Sequence, residues 1–481
     1  MDLQKEKREW FGNVRSDVLA GIVSSFAVIP EVVGFCIVAG ISPMMGLYAS
    51  FWLTVLMAFL GGRPAMISAA AGSMALVIVS LVRDHGPEYL MVATILSGII
   101  MLILGALKIG NLIKLIPNTV QIGFVDALAI LIFSSQMGNF SGERWPMFAL
   151  VALGLAIIYL FPYVTTVIPS TLAAVIVVTA IAIIGGVDVR TIGDMGTITA
   201  TLPPFHLPDV PLNMETLMIV LPYSVSLAIV GLSETLLTSK VIDDMTETEG
   251  DRNRECRGLG IANIVSGFFS GTCGCAMIGQ AIVNVNSGGR GRLSNFVSGA
   301  FLMVLIFLLN GLMVQIPLAA LTAVMITVSI ATFDWESLRL LHKMPKSDAL
   351  VIVLVVAVVV ATNNLAYGVI LGLALTAIFF AYKMAGLHIE EHRDGDRLTY
   401  CVSGQLFFAS TEAFNKAINF QNNARTVILD FTNARIWDES AAASIRGALM
   451  HLEKNGNQVQ LRDVDRTSCS LMRQIYGEAE F

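Results

Sequence analysis

The sequence predicts an α-helical polytopic membrane protein: fourteen transmembrane segments as two inverted seven-segment repeats, each with one half-helix, then a small cytoplasmic α/β domain. Three observations carry this prediction. Of the 481 residues, 55% are hydrophobic and only 14% charged, against roughly 25% charged in an average soluble domain, and mean hydropathy is +0.73. The charge is uneven: residues 17–386 hold 36 Asp, Glu, Lys and Arg in 370 positions, whereas residues 387–481 hold 23 in 95. Two apolar segments at matching places in the two halves are too short to cross a bilayer and follow runs of small residues. The chain therefore divides into an N-terminal segment (1–16), a membrane region (17–386, repeats about 17–185 and 214–386) and a soluble domain (387–481). A single soluble enzyme does not fit these values. Neither does a nucleic-acid-binding protein, since the net charge is −6 and no basic tract is long enough to neutralise a run of phosphates.

The N-terminus, MDLQKEKREWFGNVR, is charged and has no short apolar stretch with a cleavage site, so the first apolar segment is expected to stay as a membrane anchor. The fourteen segments are 17–38, 44–60, 66–82, 89–108, 112–136, 146–161, 170–185, 214–238, 256–270, 276–286, 294–314, 316–331, 346–362 and 365–386. With a cytoplasmic N-terminus, the inner loops carry sixteen Lys and Arg, Lys114 among them, and the outer loops carry Arg83, Arg144 and Arg190. That asymmetry obeys the positive-inside rule, and the even count returns the C-terminal domain to the cytoplasm. The expected location is the plasma (inner) membrane.

Segments 66–82 and 276–286 are the short ones. Ser68-Ala69-Ala70-Ala71-Gly72-Ser73 leads into the first and Gly271-Thr272-Cys273-Gly274-Cys275-Ala276 into the second. Seven segments per half is an odd number, so the halves have opposite topology. Two half-helix N-termini facing one another aim free N–H groups and positive dipole ends at one spot, which favours an anion.

Three carboxylates fall within segments, where ionisable groups are costly and usually functional. Glu234 has Thr238 four residues on, on the same helix face; the pair suits a Na⁺ ion, or the carboxylate carries a proton. Glu31 follows Pro30, which is expected to break the first segment, with Phe35 one turn further. Asp126 reads as a buried hydrogen-bonded residue, a proton relay or a domain-interface contact, the structural reading first. No Lys or Arg lies mid-segment, so anion recognition falls to helix dipoles and backbone N–H groups, with or without a bound cation. The six cysteines show no CxxC pair or disulfide framework, and Cys273 and Cys275 read as small packing residues. No metal-ligand cluster, nucleophile elbow or acid/base pair points to an enzyme or a resident cofactor.

In the tail, RLTYCVSG, TVILDFTNA and QVQLRDV read as strands and DESAAASIRGALMHLEKNG as a helix with Asp438 or Glu439 at its start. The order β…α…β–α–β suggests a small α/β sandwich.

These motifs resemble the sulfate permease family of anion transporters over nearly the whole chain. IPEVVGFCIVAGISPMMGLYASF is similar to the family's IPEAMAYAxxAGLPPxxGLYxSF, with Pro30, Glu31, Ala39, Gly40, Pro43, Gly46, Leu47, Tyr48 and Phe51 in register. ETLLTSKVIDDMTETEGDRNRECRGLGIANIVSGFFSG resembles the stretch ahead of the second half-helix, where N-R-E and G-x-G-x-x-N recur. Ala281-Ile282-Val283-Asn284 aligns with the end of the family's GSFSRTAVN. The resemblance implies a core domain moving against a gate domain, a substrate site between segments 3 and 10, a homodimer, and a C-terminal STAS domain that dimerises or binds a cytoplasmic regulator. Carried over by position, the site comprises Glu31 and Phe35, then Ala71, Gly72, Ser73 and Met74, then Ala276, Met277, Ile278, Gly279 and Gln280. Glu234 and Thr238 match positions that serve Na⁺ in bicarbonate-transporting members. Ser440 lies near the phosphorylated serine of free-standing STAS proteins and reads as a capping or packing residue.

Three positions depart from the family pattern. Gly279-Gln280 stands where many members carry Ser-Arg, Gly72-Ser73 where Gly-Pro is usual, and Asp126 where small residues are common. With the Glu234/Thr238 pair, the missing arginine favours cation-coupled uptake of a small inorganic anion, bicarbonate or sulfate before dicarboxylates, over exchange. A nucleobase-type permease would need a second carboxylate within 276–284, which is absent, and an anion sensor would not need fourteen segments.

Overall fold

The computed structural model describes residues 3–108, 117–165, 169–195, 201–211, 213–362 and 365–476. Lys114, the first residues of the fifth segment (112–116) and the last of the tail (477–481) lie outside them. The chain forms two compact units, Met1–Leu373 and Ala374–Phe481.

The first unit is helical. Its first half holds α1 (Leu3–Phe11), α2 (Val14–Ala39), α3 (Pro43–Leu60), α4 (Gly72–His85), α5 (Pro87–Ala106), α6 (Asn118–Met137), α7 (Trp145–Leu160) and α8 (Ser170–Ile184). After the short α9 (Ile192–Met195) come α10 (Met214–Thr246), α11 (Arg252–Phe268), α12 (Ile278–Asn286), α13 (Arg292–Met313), α14 (Leu318–Thr332), α15 (Trp335–Leu340), α16 (Lys346–Thr362) and α17 (Leu365–Met384), which runs across the division between units. A helix occupies each of the fourteen predicted segments. Among the described residues, eight helices are long and apolar enough to cross a membrane.

Two expectations need correction. Pro30 does not break the first segment, because α2 continues through it; the ring removes one backbone donor, and the turns on either side keep theirs. Helix α10 runs on to Thr246 rather than ending near residue 238. Its polar extension is held by Arg63, whose guanidinium pairs with Asp243 at 3.1 Å and donates to the Ile242 carbonyl at 2.9 Å.

The packing maps onto itself when the halves are exchanged. Helix α3 lies on α13 as α11 lies on α5, α2 on α13 as α10 on α5, and α7 on α14 as α16 on α6. One helix group thus holds α2–α5 and α10–α13, and a second is built around α6–α8, α14 and α16. Small residues let backbones meet inside the first group. At the α5–α11 crossing, a Cβ on Gly98 would stand 2.6 Å from the Gly260 carbonyl oxygen, and one on Gly260 would stand 2.7 Å from that of Gly98. Between the groups, Gly34 of α2 instead faces the Met325 side chain of α14, with Sδ 2.8 Å from a Cβ placed there.

Two residues on each side form a miniature sheet at the centre. Strand β1 (Ser68–Ala69) pairs antiparallel with β2 (Cys275–Ala276), Ser68 opposite Ala276 and Ala69 opposite Cys275. Each strand runs straight toward a half-helix, α4 or α12, so antiparallel pairing makes these helices leave the centre in opposite directions. The Asp126 carboxylate accepts the Asp334 N–H at 2.9 Å and the Ser337 hydroxyl at 2.8 Å, at the start of α15.

The second unit adds β3 (His388–Asp394), β4 (Arg397–Leu406), α18 (Thr411–Ala417), β5 (Thr426–Ile436), α19 (Glu439–Lys454), β6 (Gln458–Arg462) and α20 (Arg466–Tyr476). The sheet order is β3-β4-β5-β6, with β3 antiparallel to β4 and the other pairs parallel. Tyr400, Phe414, Phe431, Ile445 and Leu452 fill its core. Asp438 caps α19 by accepting the Ala441 N–H at 2.9 Å, and Ser440 is exposed on the first turn. Strand β3, HIEEHRD, lacks apolar alternation and is exposed almost throughout, so periodicity does not announce it.

Candidate functional site

The site grows from the β1–β2 pair. The segments leading to α4 and α12 consist of small residues because two strands must pass close beside the surrounding helices. Gly274 shows the constraint: a Cβ there would lie 2.3 Å from both the Ala69 carbonyl oxygen and Leu53. Neither half-helix has a side-chain cap; the residues preceding them are Ala71 and Met277. Backbone N–H groups of both first turns are therefore left for a ligand or solvent.

Helix α10 passes beside this crossing and contributes Glu234, which is 7% exposed. Its Oε2 accepts a hydrogen bond from the Ser73 hydroxyl in the first turn of α4. The same oxygen accepts one from the Cys275 thiol of β2 at 3.1 Å. One carboxylate thus joins elements of both halves. Next to it, the Thr235 hydroxyl accepts the Ala276 N–H at 3.0 Å. From α11, the Asn263 amide donates to the Gly274 carbonyl at 3.0 Å and accepts the Gly274 N–H at 2.8 Å. Both neighbours of Cys275 are consequently clamped.

Of the residues predicted from sequence, Ser73 meets Glu234, and Glu31 is hydrogen-bonded to the side chain of Gln280. Phe35 lies over Gly72, with its ring edge 2.4 Å from where a Cβ would be. Met74 packs against Gly231 on α10. Ala71, Ala276 and Met277 are buried in the crossing, Ile278 and Glu31 are half-buried, and Gly279 is exposed with nothing within 4 Å of a Cβ. Thr238 is buried, and its hydroxyl donates to the Glu234 backbone carbonyl at 2.8 Å, so toward any cation it offers lone pairs only. Sequence reasoning missed Thr235 and Asn263 and gave Cys275 only a packing role. The adjacency of Thr235 to Glu234 was the available signal for the first; Asn263 closes the G-x-G-x-x-N motif, Gly258 to Asn263, which marked the position without giving it a role.

The arrangement can hold a small anion by first-turn N–H groups and dipole ends, with a carboxylate close enough to bind a cation or proton beside it. A larger polar recess of about 870 Å³ lies elsewhere, between α1 and the loops after α3, α10 and α12. Five arginines and five carboxylates line it, so it offers an anion no net attraction.

Comparison with known proteins agrees with this geometry. A model of the sulfate permease family matches residues 14–146 and 143–356, and a STAS domain model matches residues 388–475. A Bacillus subtilis (strain 168) protein named "Putative sulfate transporter YbaR" is 53% identical over 470 residues, covering 98% of each chain. The solved transmembrane domain of a cyanobacterial bicarbonate transporter, BicA, is 28% identical, with a TM-score of 0.67 over 74% of this chain and 97% of that one. The murine anion transporter Slc26a9, solved in an inward-facing state, shares the fold at a TM-score of 0.85 and 17% identity, over 98% of this chain and 89% of its own.

Proposed function

We propose that this chain, which belongs to the sulfate permease family, carries a small inorganic anion across a membrane by alternating access. The anion sits between the uncapped starts of α4 and α12. The group holding α2–α5 and α10–α13 moves as the core, and the group around α14 acts as the gate. The observation that carries this reading is the antiparallel β1–β2 pair, which supports two opposed half-helices around one point, with the Glu234 carboxylate bonded to both lead-in segments.

Bicarbonate and sulfate are the proposed substrates, in keeping with the names of the relatives. Gln280 supplies no charge where many members have arginine, so a bound cation supplies it. The proposed coupling ion is Na⁺ or H⁺ at Glu234, with Thr238 as a further oxygen ligand in the Na⁺ case. Cytoplasmic termini are proposed from the distribution of Lys and Arg, the plasma (inner) membrane is the proposed location, and the STAS domain is assigned dimerisation or the binding of a regulator.

The test is uptake of labelled bicarbonate and labelled sulfate into proteoliposomes, each with and without an inward Na⁺ gradient, beside Glu234→Gln. Ion-stimulated uptake that the variant loses is expected. Ion-independent flux, unchanged in Glu234→Gln, removes Glu234 from coupling, and no flux of either anion removes the substrate assignment.

A further inference from the structure

We propose that Cys275 is a positioning residue of this transport site: its thiol fixes the Glu234 carboxylate between the two half-helices. The proposal rests on the reading of Glu234 given above and adds a residue to it. Its basis is geometric. The thiol lies 3.1 Å from Glu234 Oε2, and the Ser73 hydroxyl donates to the same oxygen. Both donors therefore converge on one oxygen, and among the described residues no side chain or N–H donates to Oε1. A carboxylate held this way keeps one oxygen turned toward a cation or proton.

The thiol cannot relax away from this position. Cys275 is fully buried, and its own backbone is in register with Ala69. The residue before it is held at both N–H and C=O by the Asn263 amide, and the residue after it by Thr235. These bonds satisfy peptide groups that leave helical geometry at membrane depth, and in doing so they hold the Cys275 backbone in place. The equivalent residue in the first half, Ala69, offers no donor. Ser73, further along the first half, supplies the second hydrogen bond. The two halves thus contribute one donor each, from different registers.

The test combines spectroscopy with uptake, both on the full chain in lipid. The S–H stretching band of Cys275, identified as the band lost in Cys275→Ser, is expected at the frequency of a hydrogen-bonded thiol and should move in Glu234→Gln. A band that Glu234→Gln leaves in place overturns the proposal. In uptake, Cys275→Ala is expected to raise the half-saturating concentration of the coupling ion about five- to tenfold, as for loss of one ordinary hydrogen bond, a thiol being a weak donor, while the anion KM stays within about twofold. Cys275→Ser, which restores a donor, should return the ion dependence toward that of the original protein. Equal impairment of both variants, or of neither, overturns the proposal. If the band responds to Glu234→Gln but uptake ignores both Na⁺ and pH, the coupling role of Glu234 falls and the positioning of its carboxylate by Cys275 stands.

Discussion

At the start of α4, a Cβ on Gly72 would stand 2.4 Å from the Phe35 ring; at the start of α12, a Cβ on Gly279 would meet nothing within 4 Å. Gly72 is the first residue of α4 and Gly279 the second of α12, and the one is roofed by an aromatic ring while the other faces open space. Their polar chemistry differs as well. The α4 side sends Ser73 to Glu234, whereas the α12 side sends Gln280 to Glu31. An inverted repeat therefore supplies a symmetric scaffold, and side chains break the symmetry. The helix dipoles come in a matched pair, while the carboxylates they meet are distributed one to each side.

Substitutions can break this comparison at graded cost. The largest effect is expected from Gly274→Ala, since a methyl group there collides with the Ala69 carbonyl and Leu53 and backbone cannot step aside; about 3 kcal/mol or more of destabilisation is expected, read as a large fall in melting temperature and yield. Gly72→Ala should cost about 1–3 kcal/mol, and adding Phe35→Leu should recover part of it, because the obstacle is a side chain. A failure of Phe35→Leu to help would mean that the ring is not what closes the α4 side. Ser73→Ala removes one donor to Glu234 and is expected to weaken ion-stimulated uptake about fivefold, with stability changed less than in either glycine variant. Gly279→Ala should leave the melting temperature unchanged or slightly raised, as an alanine suits a helix turn. It should nonetheless raise the anion KM, because the methyl group occupies the open space. An unchanged KM would place the anion away from the α12 side.

Much of this was legible in the sequence, for identifiable reasons. Apolar runs located the helices because a bilayer demands length. The half-helices were visible because a chain that leaves helical geometry at membrane depth must use small residues, and residues 68–73 and 271–276 do. Asp126 was read as structural before any other role, and its carboxylate bonds to the start of α15. Partnerships across the fold were not legible. Cys275 is 41 positions from Glu234, and no periodicity links a strand residue to a residue on a separate helix. Asn263 stood out as the end of the G-x-G-x-x-N motif, but only the crossing of α11 behind β2 shows it to be a peptide clamp. The continuity of α2 through Pro30 was misjudged because the local rule ignores the rest of a long helix.

The contact between Gly34 and Met325 has a mechanical consequence. Inside the core, glycine faces glycine with peptide against peptide, and such surfaces mesh like teeth: one cannot slide along the other without separating first. Between α2 and α14 the glycine faces a thioether on three rotatable bonds, which can refill its space at successive offsets. On the proposed motion of one helix group past the other, this contact can adjust without the helices separating. Met325→Ile, which puts a stiff branched side chain on that seam, is expected to slow turnover while leaving anion binding at equilibrium intact.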